Sequence, residues 1–157
     1  MPVNPKKPVL WLRFLDDIFG DDKELIRYIQ KSIGYCLSGL TSEQCVFFLY
    51  GNGRNGKSTF LEIIRAILGE YATNIQPESI MVKNSNNSAN TDIARLKGAR
   101  LVTSVEPNEG MRLNEGLIKQ LTGDDMVTAR KLYGDEFEYR PEFKLWLATN
   151  ASRVRST

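Results

Sequence analysis

Gly51, Asn52, Gly53, Arg54, Asn55, Gly56, Lys57 and Ser58 spell G-x-x-x-x-G-K-S/T, with Thr59 directly behind. Each position has a chemical reason. Gly51, Gly53 and Gly56 allow backbone conformations closed to other residues. The loop N–H groups can then turn inward as a nest for phosphate oxygens. A helix starting where the loop ends adds partial positive charge at the same place. Lys57 can reach the β- and γ-phosphates as a point charge, and the Ser58 hydroxyl can ligate Mg²⁺. The chemistry expected of residues 51–59 is therefore the binding of a nucleotide's phosphates together with its metal ion.

Binding alone does not hydrolyse, and a metal and an attacking water must also be ordered. Glu106 follows Leu101-Val102-Thr103-Ser104-Val105. As a carboxylate at a strand end it can polarise water or support Mg²⁺, and Glu109 is a weaker candidate. Asn150 follows Lys144-Leu145-Trp146-Leu147-Ala148-Thr149. Its amide both donates and accepts, so it can orient water or touch a γ-phosphate, with Thr149 sharing the task. Lys57, Glu106 and Asn150 form the candidate catalytic set, and Ser58 and Glu106 are the candidate metal ligands. A solvated strand end for Glu106 and a turn for Asn150 are the plain alternatives.

The elements that must position these groups follow from pattern. Cys45–Tyr50 is a continuous apolar run suited to a buried parallel strand. Ser58–Leu68 carries Phe60, Leu61, Ile64, Ile67 and Leu68 at helical spacing, with Gly69 as a stop. Short strands are expected at Tyr71–Ile75, Arg100–Val105 and Phe143–Ala148. Helices are expected at Thr91–Lys97 and at Asn114–Leu121 with Asn114 as cap. Met126–Arg130 and Glu136–Arg140 read as a hairpin, and Lys83–Asp92 as a polar loop. Ahead of these, residues 1–10 hold Pro2, Pro5 and Pro8 and read as a linker. Residues 11–44 read as a helical segment in which Asp21 and Glu24 suggest a capping box and Gly39 a stop. Residues 45–157 form the main domain. The fold class expected is α/β, a parallel sheet flanked by helices with its ligand at the carboxyl ends of the strands.

Bulk composition narrows the function classes. The 157 residues are 41 % hydrophobic and 25 % charged, ordinary for a globular protein. A net charge of +2 is no polycation signal, so any DNA contact must come from a local patch. No apolar run is long enough to span a membrane. The chain has no histidine, which removes His-based acid/base catalysis and ordinary zinc sites. Cys36 and Cys45 are the only cysteines, without metal-ligand spacing, and read as core thiols in a reducing compartment.

The order of Gly-Asn-Gly-Arg-Asn-Gly-Lys-Ser-Thr-Phe-Leu, then Arg-Leu-Val leading to Glu106, then Ile118–Asp125, then Phe143–Asn150, resembles superfamily 3 helicases. It is most similar to the helicase part of phage and plasmid primases, related to the poxvirus primase–helicase. The resemblance implies a P-loop NTPase of the AAA+ type. It implies an ATP- and Mg²⁺-dependent DNA helicase that forms a ring, usually a hexamer, on single-stranded or forked DNA in a bacterial host cytoplasm. Lys57 and Ser58 match its Walker A pair, Glu106 the acidic end of Walker B, and Asn150 the sensor. The segment Lys119–Tyr133 matches the part that supplies a DNA-contacting hairpin. Lys119, Arg130 and Lys131 are the expected phosphate contacts, with Tyr133 as a stacking neighbour.

Two departures bear on activity. Val105 stands where Walker B usually has a second acid, and the chain ends seven residues after Asn150. The family pattern continues beyond that point with an arginine that acts on a neighbour's nucleotide, so residues 45–157 read as a core incomplete at its C-terminus. The alternative function is a nucleotide-binding module that joins a full-length partner without unwinding DNA. A small-molecule kinase is disfavoured, because Lys83–Asp92 lacks the arginine of a mobile lid.

Overall fold

The computed structural model describes residues 6–51, 54–82, 89–105 and 112–149. The chain divides into two compact units, Met1–Gly34 and Tyr35–Thr157. The first unit carries helix α1, Val9–Phe19, and most of helix α2, Lys23–Leu37. One helical segment was expected here, but two form. Gly20 takes a left-handed φ of 65° and Asp21 one of 59°, so the helix breaks between them. The start of α2 is therefore capped by Asp22 rather than Asp21, its Oδ1 accepting from the Leu25 N–H at 3.0 Å. Lys23 pairs with Asp16 at 2.7 Å across the break.

The second unit is built on a four-stranded parallel sheet. Its strands are β1 (Val46–Tyr50), β2 (Ala72–Asn74), β3 (Leu101–Val105) and β6 (Lys144–Thr149), in the order β1-β6-β3-β2. A separate antiparallel hairpin pairs β4 (Val127–Arg130) with β5 (Glu136–Tyr139). Helix α3, Lys57–Leu68, follows β1. Helices α4 (Ala89–Ala94) and α5 (Glu115–Thr122) lie further along the chain. As expected, Asn114 caps α5, its Oδ1 accepting from the Leu117 N–H at 3.1 Å. The expected Thr91–Lys97 helix starts earlier and ends at Ala94, and the last strand is shifted by one residue.

Layering explains the hydrophobic runs. Every residue of β6 is buried, because both faces of the central strand are covered. On one face Trp146 stacks on Phe47 at 4.5 Å between ring centroids and meets Phe60 of α3 at 5.9 Å. On the other face Val102, Leu145 and Leu147 join a cluster with Ile93, Leu121, Val127, Ala129 and Tyr139. That cluster fastens the hairpin base to the sheet. The Tyr139 hydroxyl donates to the Ile93 carbonyl at 2.7 Å in the buried core, and burial raises its pKa well above the ordinary phenol value.

Tyr139→Phe removes one of the two hydrogen bonds that the Ile93 carbonyl accepts, the other coming from the Leu96 N–H at 3.2 Å, so at neutral pH it is expected to lose about 0.5–1.5 kcal/mol of unfolding free energy in urea titrations. The sign of its pH dependence follows from the raised pKa. Above pH 10.0 the unfolded phenol ionises while the folded one stays neutral, so the parent loses stability there and the Phe variant has no such loss. The gap between the two proteins should narrow as pH rises past that value, and a constant gap would mean the phenol is not held neutral by burial.

Candidate functional site

The carboxyl ends of three strands stand side by side. Parallel register sets Tyr50 beside Thr149 and Val105 beside Ala148. Gly51 leaves β1 at this edge, with a φ of 151° that disfavours any side chain, and the loop returns through Arg54 (φ 63°) and Gly56 (φ 82°). Gly56 then opens α3 without a side-chain cap. The first-turn N–H groups of α3 are thus left for an external acceptor.

Lys57 folds back across the loop. Its Nζ donates to the Gly51 carbonyl at 2.8 Å and to Asn55 Oδ1 at 2.8 Å. Both acceptors are neutral, and among the described residues Lys57 has no ion pair. A half-buried ammonium group therefore sits at an uncapped helix start, without a counter-charge from the described residues. A Cβ on Gly51 would lie 2.1 Å from Asn55 Nδ2, the same amide that holds Lys57. Ser58 and Thr59 are exposed beside it. Asn52 and Gly53 fall outside the described residues.

Glu106, Glu109 and Asn150 also lie outside the described residues. What is described is the frame that leads to two of them: β3 ends at Val105 and β6 at Thr149, flanking one another at the edge where Gly51 emerges. Thr149 itself is buried. One group here carried no sequence signal. The Ser104 hydroxyl is buried and has no hydrogen-bond partner among the described residues, one position before the end of β3. Only the packed sheet shows that it is shut away from solvent.

The expected DNA-contacting residues fall on different surfaces. Lys119 is exposed on α5. In the hairpin, Arg130 stands opposite Glu136 and spends its Nε–H on the Gly134 carbonyl at 3.0 Å. Lys131 lies over the Phe137 ring, its Nζ 5.9 Å from the centroid. Tyr133 is fully exposed at the tip, with a left-handed φ of 58°. Lys97, which no motif marked, reaches the same Phe137 ring at 5.3 Å. Lys131, Leu132 and Tyr133 also border an open cleft of about 540 Å³ with Thr91, away from the glycine loop.

The fold is shared with solved structures. "The A form apo structure of NrS-1 C terminal region-CTR" superposes with a TM-score of 0.70 over 95 % of this chain and 35 % of that one, at 16 % identity. Among sequences, "Putative helicase L207/L206" of Acanthamoeba polyphaga mimivirus is 35 % identical over 130 residues, 82 % of this chain and 14 % of that protein. "Putative helicase 022R" of Frog virus 3 is 32 % identical over 145 residues, 89 % of this chain and 15 % of that protein. "Primase D5" of Fowlpox virus is 26 % identical over 151 residues, 91 % of this chain and 19 % of that protein, so the expected kinship with a poxvirus primase is found. The chain spans less than a fifth of the length of these relatives. The model of a family of unknown function, DUF5906, matches residues 49–157, from the last residues of β1 to the end of the chain, and the chain belongs to that family.

Proposed function

We propose that this chain is the nucleotide-hydrolysing core of a DNA-replication helicase of the primase–helicase kind, a P-loop NTPase that uses Mg-ATP and works in a ring of like subunits on DNA. The observation that carries the reading is Lys57. Its charge is held at the start of an uncapped helix by two neutral oxygens, so a polyphosphate supplies the counter-charge the loop lacks. The names of the viral relatives, helicase and primase, support the same reading.

The residues fit the nucleotide and its metal. The loop from Gly51 to Gly56 would cradle phosphate oxygens through backbone N–H groups. Lys57 would neutralise the β- and γ-phosphates, and Ser58 and Thr59 would lie beside them. A divalent ion would share its coordination between Ser58 and the phosphates, and it would supply charge neutralisation during transfer. In this reading Glu106 orders water or metal, and Asn150 senses the γ-phosphate. Lys119, Arg130 and Lys131 contact DNA.

Two outcomes test the loop. Lys57→Ala is expected to lower Mg²⁺-dependent ATP hydrolysis by roughly 10²-fold or more, the scale seen when a preorganised charge is removed from a developing one. Undiminished turnover in that variant would sink the assignment. Gly51→Ala forces a side chain into a strained φ and onto the amide that holds Lys57, a strain of about 1–3 kcal/mol. Nucleotide affinity should then weaken by about tenfold or more in equilibrium titration, while the melting transition stays cooperative.

A further inference from the structure

The hairpin has two electrostatically different faces. Alternation along β4 puts Thr128 and Arg130 on one face, opposite Glu138 and Glu136. That face carries one cation and two carboxylates. On the other face Val127 and Ala129 are buried, paired with Tyr139 and Phe137. Lys131 continues this inner face past the end of the strand and comes to lie on the Phe137 ring. Lys97, from the turn before β3, arrives at the same ring from a different part of the chain.

Two cations on one ring need an explanation. Each gains on the order of 0.5–1 kcal/mol from the aromatic face at an exposed site, and each repels the other. Phe137 is half-buried and packed against the core cluster, so the ring that gathers both ammonium groups is itself anchored. Asp135, Glu136 and Glu138 are carried on the same hairpin, yet neither lysine forms an ion pair with any described residue. Both lysines are exposed, and both stand on a rigid base fixed by the buried Tyr139 hydroxyl. Two unneutralised cations, preset on a rigid aromatic surface, are a receptor for a shared anion.

We infer that Lys97 and Lys131, gathered on the Phe137 ring at the base of the β4–β5 hairpin, form a seat for one backbone phosphate of single-stranded DNA. The inference rests on the DNA reading proposed above and adds Lys97, a residue outside the hairpin, to it. The exposed Leu132 and Tyr133 at the tip lie next to this seat, where a base adjoining the bound phosphate can stack.

The test measures binding of a fluorescently labelled single-stranded oligonucleotide by anisotropy across a series of KCl concentrations. The proteins are the parent, Lys97→Gln, Lys131→Gln, the double variant and Lys97→Arg. Each single Gln variant should weaken binding and reduce the slope of log K against log salt by about 0.7, the value for one phosphate contact on a single strand. The double variant should lose about the same slope as either single one, because both side chains serve one phosphate, and Lys97→Arg should keep the parent slope. ATP binding should be equal in all five proteins, showing that the fold and the glycine loop are intact. If the parent binds DNA and Lys131→Gln weakens it while Lys97→Gln does not, the shared seat is wrong and the DNA reading stands. If the parent binds no DNA at low salt, the DNA reading fails and the seat with it.

Discussion

The central strand β6 sets the geometry on which the rest of the second unit depends. It is hydrogen-bonded on both edges, to β1 and to β3, and buried on both faces. A strand so enclosed cannot slip by one residue without turning its whole apolar set to the wrong side. Its start is fixed by Lys144, whose Nζ donates to the Ser38 carbonyl at 2.5 Å and lies 4.3 Å from the centre of the Tyr35 ring. Burial lowers the pKa of this lysine, and the carbonyl and ring give its charge a partner inside the protein. Its middle is fixed by Trp146, clamped between Phe47 and Phe60, with the indole N–H donating to Cys36 Sγ at 3.2 Å. Burial in turn raises the Cys36 thiol to about 11, so it stays a neutral acceptor at that contact. With start and middle fixed, the carboxyl end of β6 is placed beside those of β1 and β3, and the glycine loop emerges at that edge.

The same packing gives the hairpin a physical connection to the loop. Val102 of β3 and Leu145 and Leu147 of β6 share one core cluster with Val127, Ala129 and Tyr139 at the hairpin base. The strands that end at the proposed nucleotide site and the element proposed to meet DNA are thus neighbours in one close-packed interior. Such contiguity is one physical route by which the two proposed sites can be coupled. Charge is arranged to match, with Lys57 lacking a counter-charge among described residues at one place and the Lys97–Lys131 pair lacking one at the other.

Much of this was legible in the chain because local rules and tertiary packing agree. Asn114 reads as a cap and caps, and Cys45–Tyr50 reads as a parallel strand and forms one over Val46–Tyr50, but at the sheet edge with Phe48 and Tyr50 exposed rather than buried as its apolar run suggests. The hairpin is legible from its two short strands around Tyr133-Gly134-Asp135. The break at Gly20 is legible only in part: residues 20–24 hold no apolar side chain and Asp21 with Glu24 suggests a helix start, but the left-handed backbone at Gly20 and Asp21 that ends α1 and the capping by Asp22 are hidden. Lys97 is equally hidden. Nothing in a turn between α4 and β3 marks a lysine, and its role rests on a ring forty residues later in the chain. Side-chain convergence across that separation is a property of the packed core, which no local pattern encodes. The Asn55 amide shows the same limit within the motif, since its spacing to Lys57 is visible but its hold on Nζ is not.

The central claim is that the loop recognises phosphates through Lys57. Titration calorimetry of the parent chain with Mg-ATP and with adenosine tests it most directly, because the two ligands share a base and sugar and differ only in the phosphates. The account predicts saturable binding of Mg-ATP, no measurable binding of adenosine, and weakening of the ATP isotherm as salt is raised. Equal binding of both ligands, or of neither, would contradict it.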